Sequence, residues 1–96
     1  MRRAARVDAN QPEIVQALRN IGCVVIIVSQ LKNAFDILVA YRGELHVMEI
    51  KDGSKTASQK QLTPGEISCK NALENVGVQY NVVESVSDAI KIVTKT

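Results

Sequence analysis

The stretch "AFDILVAYRGELHVMEIK", from Ala34 to Lys51, constrains this chain more than any other. Two strand-like apolar runs meet at Arg42-Gly43, which fits a two-residue hairpin turn in which glycine supplies the unusual backbone angle. If those two residues are the turn, Tyr41 pairs with Glu44, and counting outward brings Asp36 opposite Glu49. Opposed side chains in an antiparallel pair have Cβ atoms about 4.5–5.5 Å apart, and two like charges there are destabilising. Something should offset that repulsion.

The two-residue period of a strand sets Asp36, Leu38, Ala40, Leu45, Val47, Glu49 and Lys51 on one face, so an apolar face ends in two carboxylates and an amine. Hard divalent cations such as magnesium take oxygen ligands and are commonly held by one or two carboxylates with water and a substrate phosphate. The Asp36/Glu49 pair suits that role. Lys51 would project to the same side, where an ammonium could orient a nucleophilic water or neutralise charge building on a phosphate. The alternative is a solvated strand end in which Lys51 simply pairs with one of the acids.

Around the hairpin, Asn10, Pro12 and Glu13 read as the start of a helix from Gln11 to Ile21, with Ile14, Val15, Leu18 and Ile21 as its apolar stripe and Asn10 and Glu13 placed for a capping box. "CVVIIVS" is β-branched and apolar on both faces, the pattern of a buried central strand. After a polar loop from Lys51 to Leu62, Thr63, Pro64 and Glu66 open a second helix that runs to Gly77. "VQYNVV" returns as a strand, and Ser85 with Asp88 opens a last helix. The order is helix, three strands, helix, strand, helix.

With 96 residues, a single domain is expected, small enough that a homodimer would supply useful further burial. No apolar run is long enough to span a bilayer, and the basic start lacks the apolar segment of a secretory signal, so a cytoplasmic protein is expected. Cys23 and Cys69 have no zinc-type spacing and read as reduced thiols. A net charge of +2 does not by itself announce a nucleic-acid binder. Its distribution matters more: Arg2, Arg3 and Arg6 at one end, and Lys55 and Lys60 in the polar loop, could grip phosphates without reading bases, or could be ordinary surface charge.

Asp36, a hairpin, then Glu49-Ile50-Lys51, preceded by a helix with Glu13 and followed by a helix and a strand, resembles the PD-(D/E)XK nuclease superfamily and its restriction-endonuclease-like αβββαβ core, a central mixed β-sheet flanked by helices. More narrowly, "EIKDGSK", "LTPGE" and "VGVQYNVVESVSDAIKIV" are similar to the VRR-NUC family, whose compact members occur in phages and bacteria. The resemblance covers nearly the whole chain, residues 1–96 as one nuclease domain. It implies a magnesium- or manganese-dependent endonuclease acting on branched or structured DNA, with dimeric stand-alone members that resemble Holliday junction resolvases. Carried over by position, Asp36 and Glu49 become metal ligands, the Ile50 carbonyl a third oxygen, Lys51 the catalytic lysine, and Glu13 the helix acid that reaches the metal through water.

Two positions depart from the pattern. Phe35 stands where the superfamily name places proline, and Glu66 stands where the family often has glutamine. Glu13 and Glu66 are each suited to capping a helix or to serving the site. Two other functions remain open: a DNA-binding module without turnover, and a non-enzymatic interaction domain completed by a partner chain.

Overall fold

A computed structural model describes residues 8–96 of the chain. Arg2, Arg3 and Arg6 lie outside the described residues. The elements are α1 (Gln11–Asn20), β1 (Val24–Ile27), β2 (Ile37–Tyr41), β3 (Glu44–Ile50), a single 3₁₀ turn (Ser58–Lys60), α2 (Pro64–Asn75), β4 (Tyr80–Val83) and α3 (Val86–Thr94). The four strands form one sheet in the order β1-β2-β3-β4, antiparallel except for β4, which runs parallel to β3. This is the αβββαβ arrangement with a mixed sheet, extended by α3.

The hairpin forms as counted. Arg42 and Gly43 have φ of 50° and 81°, the two positive angles that a type I′ turn requires, and Tyr41 pairs with Glu44. The Arg42 guanidinium lies 5.0 Å from the centre of the Tyr41 ring, which helps an arginine hold this conformation. Regular pairing runs back to Ile37 opposite Met48.

Alternation along the strands then sorts the side chains. Ile37, Val39, Met48, Ile50 and Val83 point to one face, where Ile14, Val15 and Leu18 of α1 and Ala89 and Val93 of α3 complete a single core. The opposite face carries Glu49, Tyr80 and Val82, with α2 against β4.

"CVVIIVS" is not a central strand. β1 is at the sheet edge, and Val24 and Ile26 are 62% and 52% exposed. Apolarity on both faces implies burial on both, but α2 lies over the β4 end and leaves this part of the face uncovered.

The helix starts divide in the same way. Thr63 and Glu66 form a reciprocal capping box, and Ser85 Oγ accepts from the Asp88 amide at 3.1 Å. The capping box expected from Asn10 and Glu13 is absent: Asn10 has helical rather than extended backbone angles (φ -85°, ψ -4°) and makes no side-chain cap bond, while its Nδ2 donates to carbonyls far along the chain.

Candidate active site

Three elements converge at the ends of β2 and β3. Asp36 immediately precedes β2 and leaves regular pairing, its amide donating to the Met48 carbonyl at 3.1 Å. Its carboxylate folds over β3, where Oδ2 accepts a 2.7 Å hydrogen bond from the Ile50 amide. Glu49, on the preceding residue of β3, is only 4% exposed. Lys51 follows two residues later on the same face, its ammonium 3.3 Å from Glu49 Oε2 and 3.1 Å from Glu66 Oε1 of α2.

These groups line one cleft of about 440 Å³, together with Asp8, Ser29 and Lys55. Tyr80, reached by the parallel strand β4, is buried beneath it. Its hydroxyl donates to the Ala34 carbonyl at 2.8 Å and lies 3.5 Å from Glu49 Oε1, so an aromatic wall fixes one side of the acid. The count of residues on β4 gives no hint of this, because the partner of Tyr80 is set by a parallel pairing across α2.

The electrostatics follow from burial and crowding. Burial, then the charges of Asp36 and Glu66, push Glu49 up to about 8 against a partial pull from Lys51. Asp36 is raised by burial and by Asp8, an effect that the Ile50 amide only partly offsets. Burial alone would lower Lys51, but its hydrogen bond to Glu66 and the charge of Glu49 outweigh it and hold the ammonium above its ordinary range. Glu66 is lowered, because the Thr63 amide and Lys51 outweigh its burial.

The residues picked from sequence are unequally gathered here. Asp36, Glu49 and Lys51 come together, and Ile50 contributes its backbone. Glu13 is on the exposed side of α1 and does not line the cleft; the acid from that end of the chain that does is Asp8, which precedes the helix and so escapes its periodicity. Lys55 is at the cleft, whereas Lys60 is turned to Glu84, 3.0 Å away. Glu66 serves both capping and the site. From sequence, Asp8 lies too close to Glu13 to be told apart from it, and the structure puts Asp8 at the cleft; Tyr80 is the residue that sequence reasoning missed.

Five acids, Asp8, Asp36, Glu49, Asp52 and Glu66, thus share the cleft with three lysines, Lys32, Lys51 and Lys55, and Asp36 and Glu49 are the two that burial pushes up. An excess of crowded oxygen ligands fits a hard divalent cation. Among the described residues no group of three or more His, Cys, Asp or Glu is placed to hold a metal ion by itself.

A mixed sheet with a parallel fourth strand and helices on both faces is a restriction-endonuclease-like fold. Among solved structures the chain is similar to one described as a "VRR_NUC domain", with a TM-score of 0.64 and 18% sequence identity over 91% of this chain and 97% of that one. The two share a fold. No model of a protein family matches the sequence, and no curated protein is matched by it.

Proposed function

We propose that this chain is a metal-dependent, structure-specific endonuclease that hydrolyses phosphodiester bonds in branched DNA, four-way junctions included, as a homodimer. The observation that carries this reading is the desolvated Asp36/Glu49 pair with the Lys51 ammonium 3.3 Å from Glu49, at the ends of adjacent strands in one cleft. Asp36, Glu49 and the Ile50 carbonyl would hold magnesium or manganese, which when bound supplies an activated water and neutralises charge on the phosphate.

The chain's own groups do the rest. Lys51 presents a fixed ammonium to the attacking water or to the phosphate oxygens on which negative charge grows. Glu66 holds that ammonium from the side away from the strand, and Tyr80 buttresses Glu49. Lys55 at the cleft mouth gives the backbone phosphates a positive contact. Arg2, Arg3 and Arg6 would extend that grip.

The uncovered part of the sheet supports the homodimer. Val24, Ala40 and Leu45 stand in one row across β1, β2 and β3, and Ile26 and Leu38 begin the next; Val24 and Leu45 are each 62% exposed. Burying those rows against a second copy would remove them from water and give a branched substrate two cutting centres.

The test is incubation of the purified protein with four-way, flap and linear DNAs, with magnesium or with a chelator. Metal-dependent incision of branched DNA is the expected result. Binding without incision, insensitive to magnesium, would instead make the chain a DNA-binding module on this fold. No affinity even at low salt would make it a non-enzymatic interaction domain.

A further inference from the structure

We propose that Asn10 is a positioning residue for the lysine of the cleft: it fixes the backbone of Lys51, and with Gln11 it ties the start of α1 to both acid-bearing strands. The inference rests on the nuclease reading above. Asparagine at this position is among the residues best able to cap a helix, yet Asn10 caps nothing. Instead its Nδ2 donates to the Lys51 carbonyl at 3.1 Å and to the Glu84 carbonyl at 3.1 Å, groups 41 and 74 residues away.

Those two carbonyls are where the parallel pair β3–β4 opens. The last regular pair is Ile50 with Val83, and one more bond, from the Lys51 amide to the Val83 carbonyl at 2.9 Å, follows it. Beyond this bond the sheet no longer restrains the chain, and the Lys51 carbonyl takes its hydrogen bond from a side chain. That one side-chain amide bridges both strands. Two residues on, the chain passes close enough to Glu84 that a Cβ at Gly53 would stand 3.1 Å from the Glu84 carbonyl oxygen, so the turn away from β3 is tight against the same group.

Gln11 performs the matching task at β2. It is 4% exposed, its Nε2 donates to Ser29 Oγ at 2.9 Å, and Ser29 Oγ lies 3.4 Å from the Asp36 carbonyl. Among the described residues, Asn10 Oδ1 and Gln11 Oε1 are buried acceptors without a hydrogen-bond partner.

A matched control separates positioning from stability. Asn81 is buried on β4, and its Nδ2 likewise donates to a backbone carbonyl, that of Val47 at 3.0 Å, in the middle of β3 and away from Lys51. Both Asn10→Ala and Asn81→Ala remove a side-chain amide that donates to a backbone carbonyl of β3 or of the residue just after it. The full chain and both variants would be compared at a temperature where all are folded, by kcat and KM on the branched DNA that the wild type cuts and by amide hydrogen exchange at Lys51 in metal-free protein. Asn10→Ala is expected to lower kcat about ten-fold or more at near-constant KM, since small misplacements of a reacting group cost rate rather than binding, and to speed exchange at Lys51. Asn81→Ala should leave kcat and that amide close to wild type. Equal kcat in the two variants, or wild-type exchange at Lys51 in Asn10→Ala, would overturn the proposal. If Asn10→Ala does not fold, Asn10→Ser, whose short hydroxyl cannot bridge both carbonyls, is read the same way. A wild type that cuts no DNA would count against the nuclease reading alone, and the exchange measurement would still decide for or against the clamp.

Discussion

A single oxygen of Glu66, Oε1, accepts from the Thr63 amide at 3.0 Å and from the Lys51 ammonium at 3.1 Å. The first turn of α2 and the lysine of the cleft are therefore fixed by one atom. Thr63 Oγ1 completes the cap by accepting from the Glu66 amide at 3.2 Å, and it is not bonded to Lys51. The two roles can thus be taken apart.

Thr63→Ala is expected to destabilise the protein by about 1 kcal/mol through the lost cap while leaving cleavage near wild type. Glu66→Ala should cost a similar amount of stability and in addition slow cleavage by about ten-fold, because Lys51 loses its second anchor. Glu66→Gln, whose amide oxygen can accept both bonds, should recover most of the rate. Thermal melts alongside cleavage rates check all three, and equal rates in Thr63→Ala and Glu66→Ala would show that Glu66 is only a cap.

Stability should depend on pH through Glu49. Its carboxyl titrates at about 8 in the folded protein against an ordinary value of 4.5, so the fold favours the protonated form. A raised carboxyl contributes stability that is fully present below the unfolded value and is lost as pH rises through the folded one. The melting temperature of metal-free protein is therefore expected to fall between about pH 4.5 and pH 8, and Glu49→Gln should flatten that fall. Added magnesium should raise the melting temperature more near pH 8 than near pH 6, because at the lower pH the ion competes with the proton. A metal-free profile that rises across this window, or that Glu49→Gln does not alter, would contradict the site's electrostatics.

The exposed rows on β1 and β3 predict an oligomer. Val24→Lys and Leu45→Lys place charge in the middle of the uncovered face, where a monomer would tolerate it with a change of within about 0.5 kcal/mol. Sedimentation should show a dimer for the wild type and a monomer for the double variant. Equal masses for the two proteins would exclude this face as the contact.

Much of this molecule is written locally. Turn chemistry at Arg42-Gly43 sets the hairpin register, and with it the meeting of Asp36 and Glu49, because the distance from the turn is short and side chains alternate strictly. Thr63 and Ser85 cap as their spacing indicates. What was not legible depends on distant partners. Asn10 has the signature of a cap, but its side chain is turned so that Nδ2 donates to the carbonyls of Lys51 and Glu84, and nothing within a helix turn reveals them. Asp8 lies before α1, where no period says which way a side chain points. Tyr80 meets Glu49 through a parallel pairing whose register is set by how α2 crosses the sheet. β1 illustrates the converse error, since an apolar strand records the need for a cover without saying that this chain supplies one.

The most direct measurement is single-turnover cleavage of a four-way DNA junction by wild type and by Glu49→Gln at saturating magnesium, with junction affinity measured alongside. The account predicts that the variant binds the junction about as well as wild type and cuts it at least about 100-fold more slowly, the scale expected when a ligand of the catalytic ion is lost. Cleavage by Glu49→Gln at the wild-type rate would contradict it.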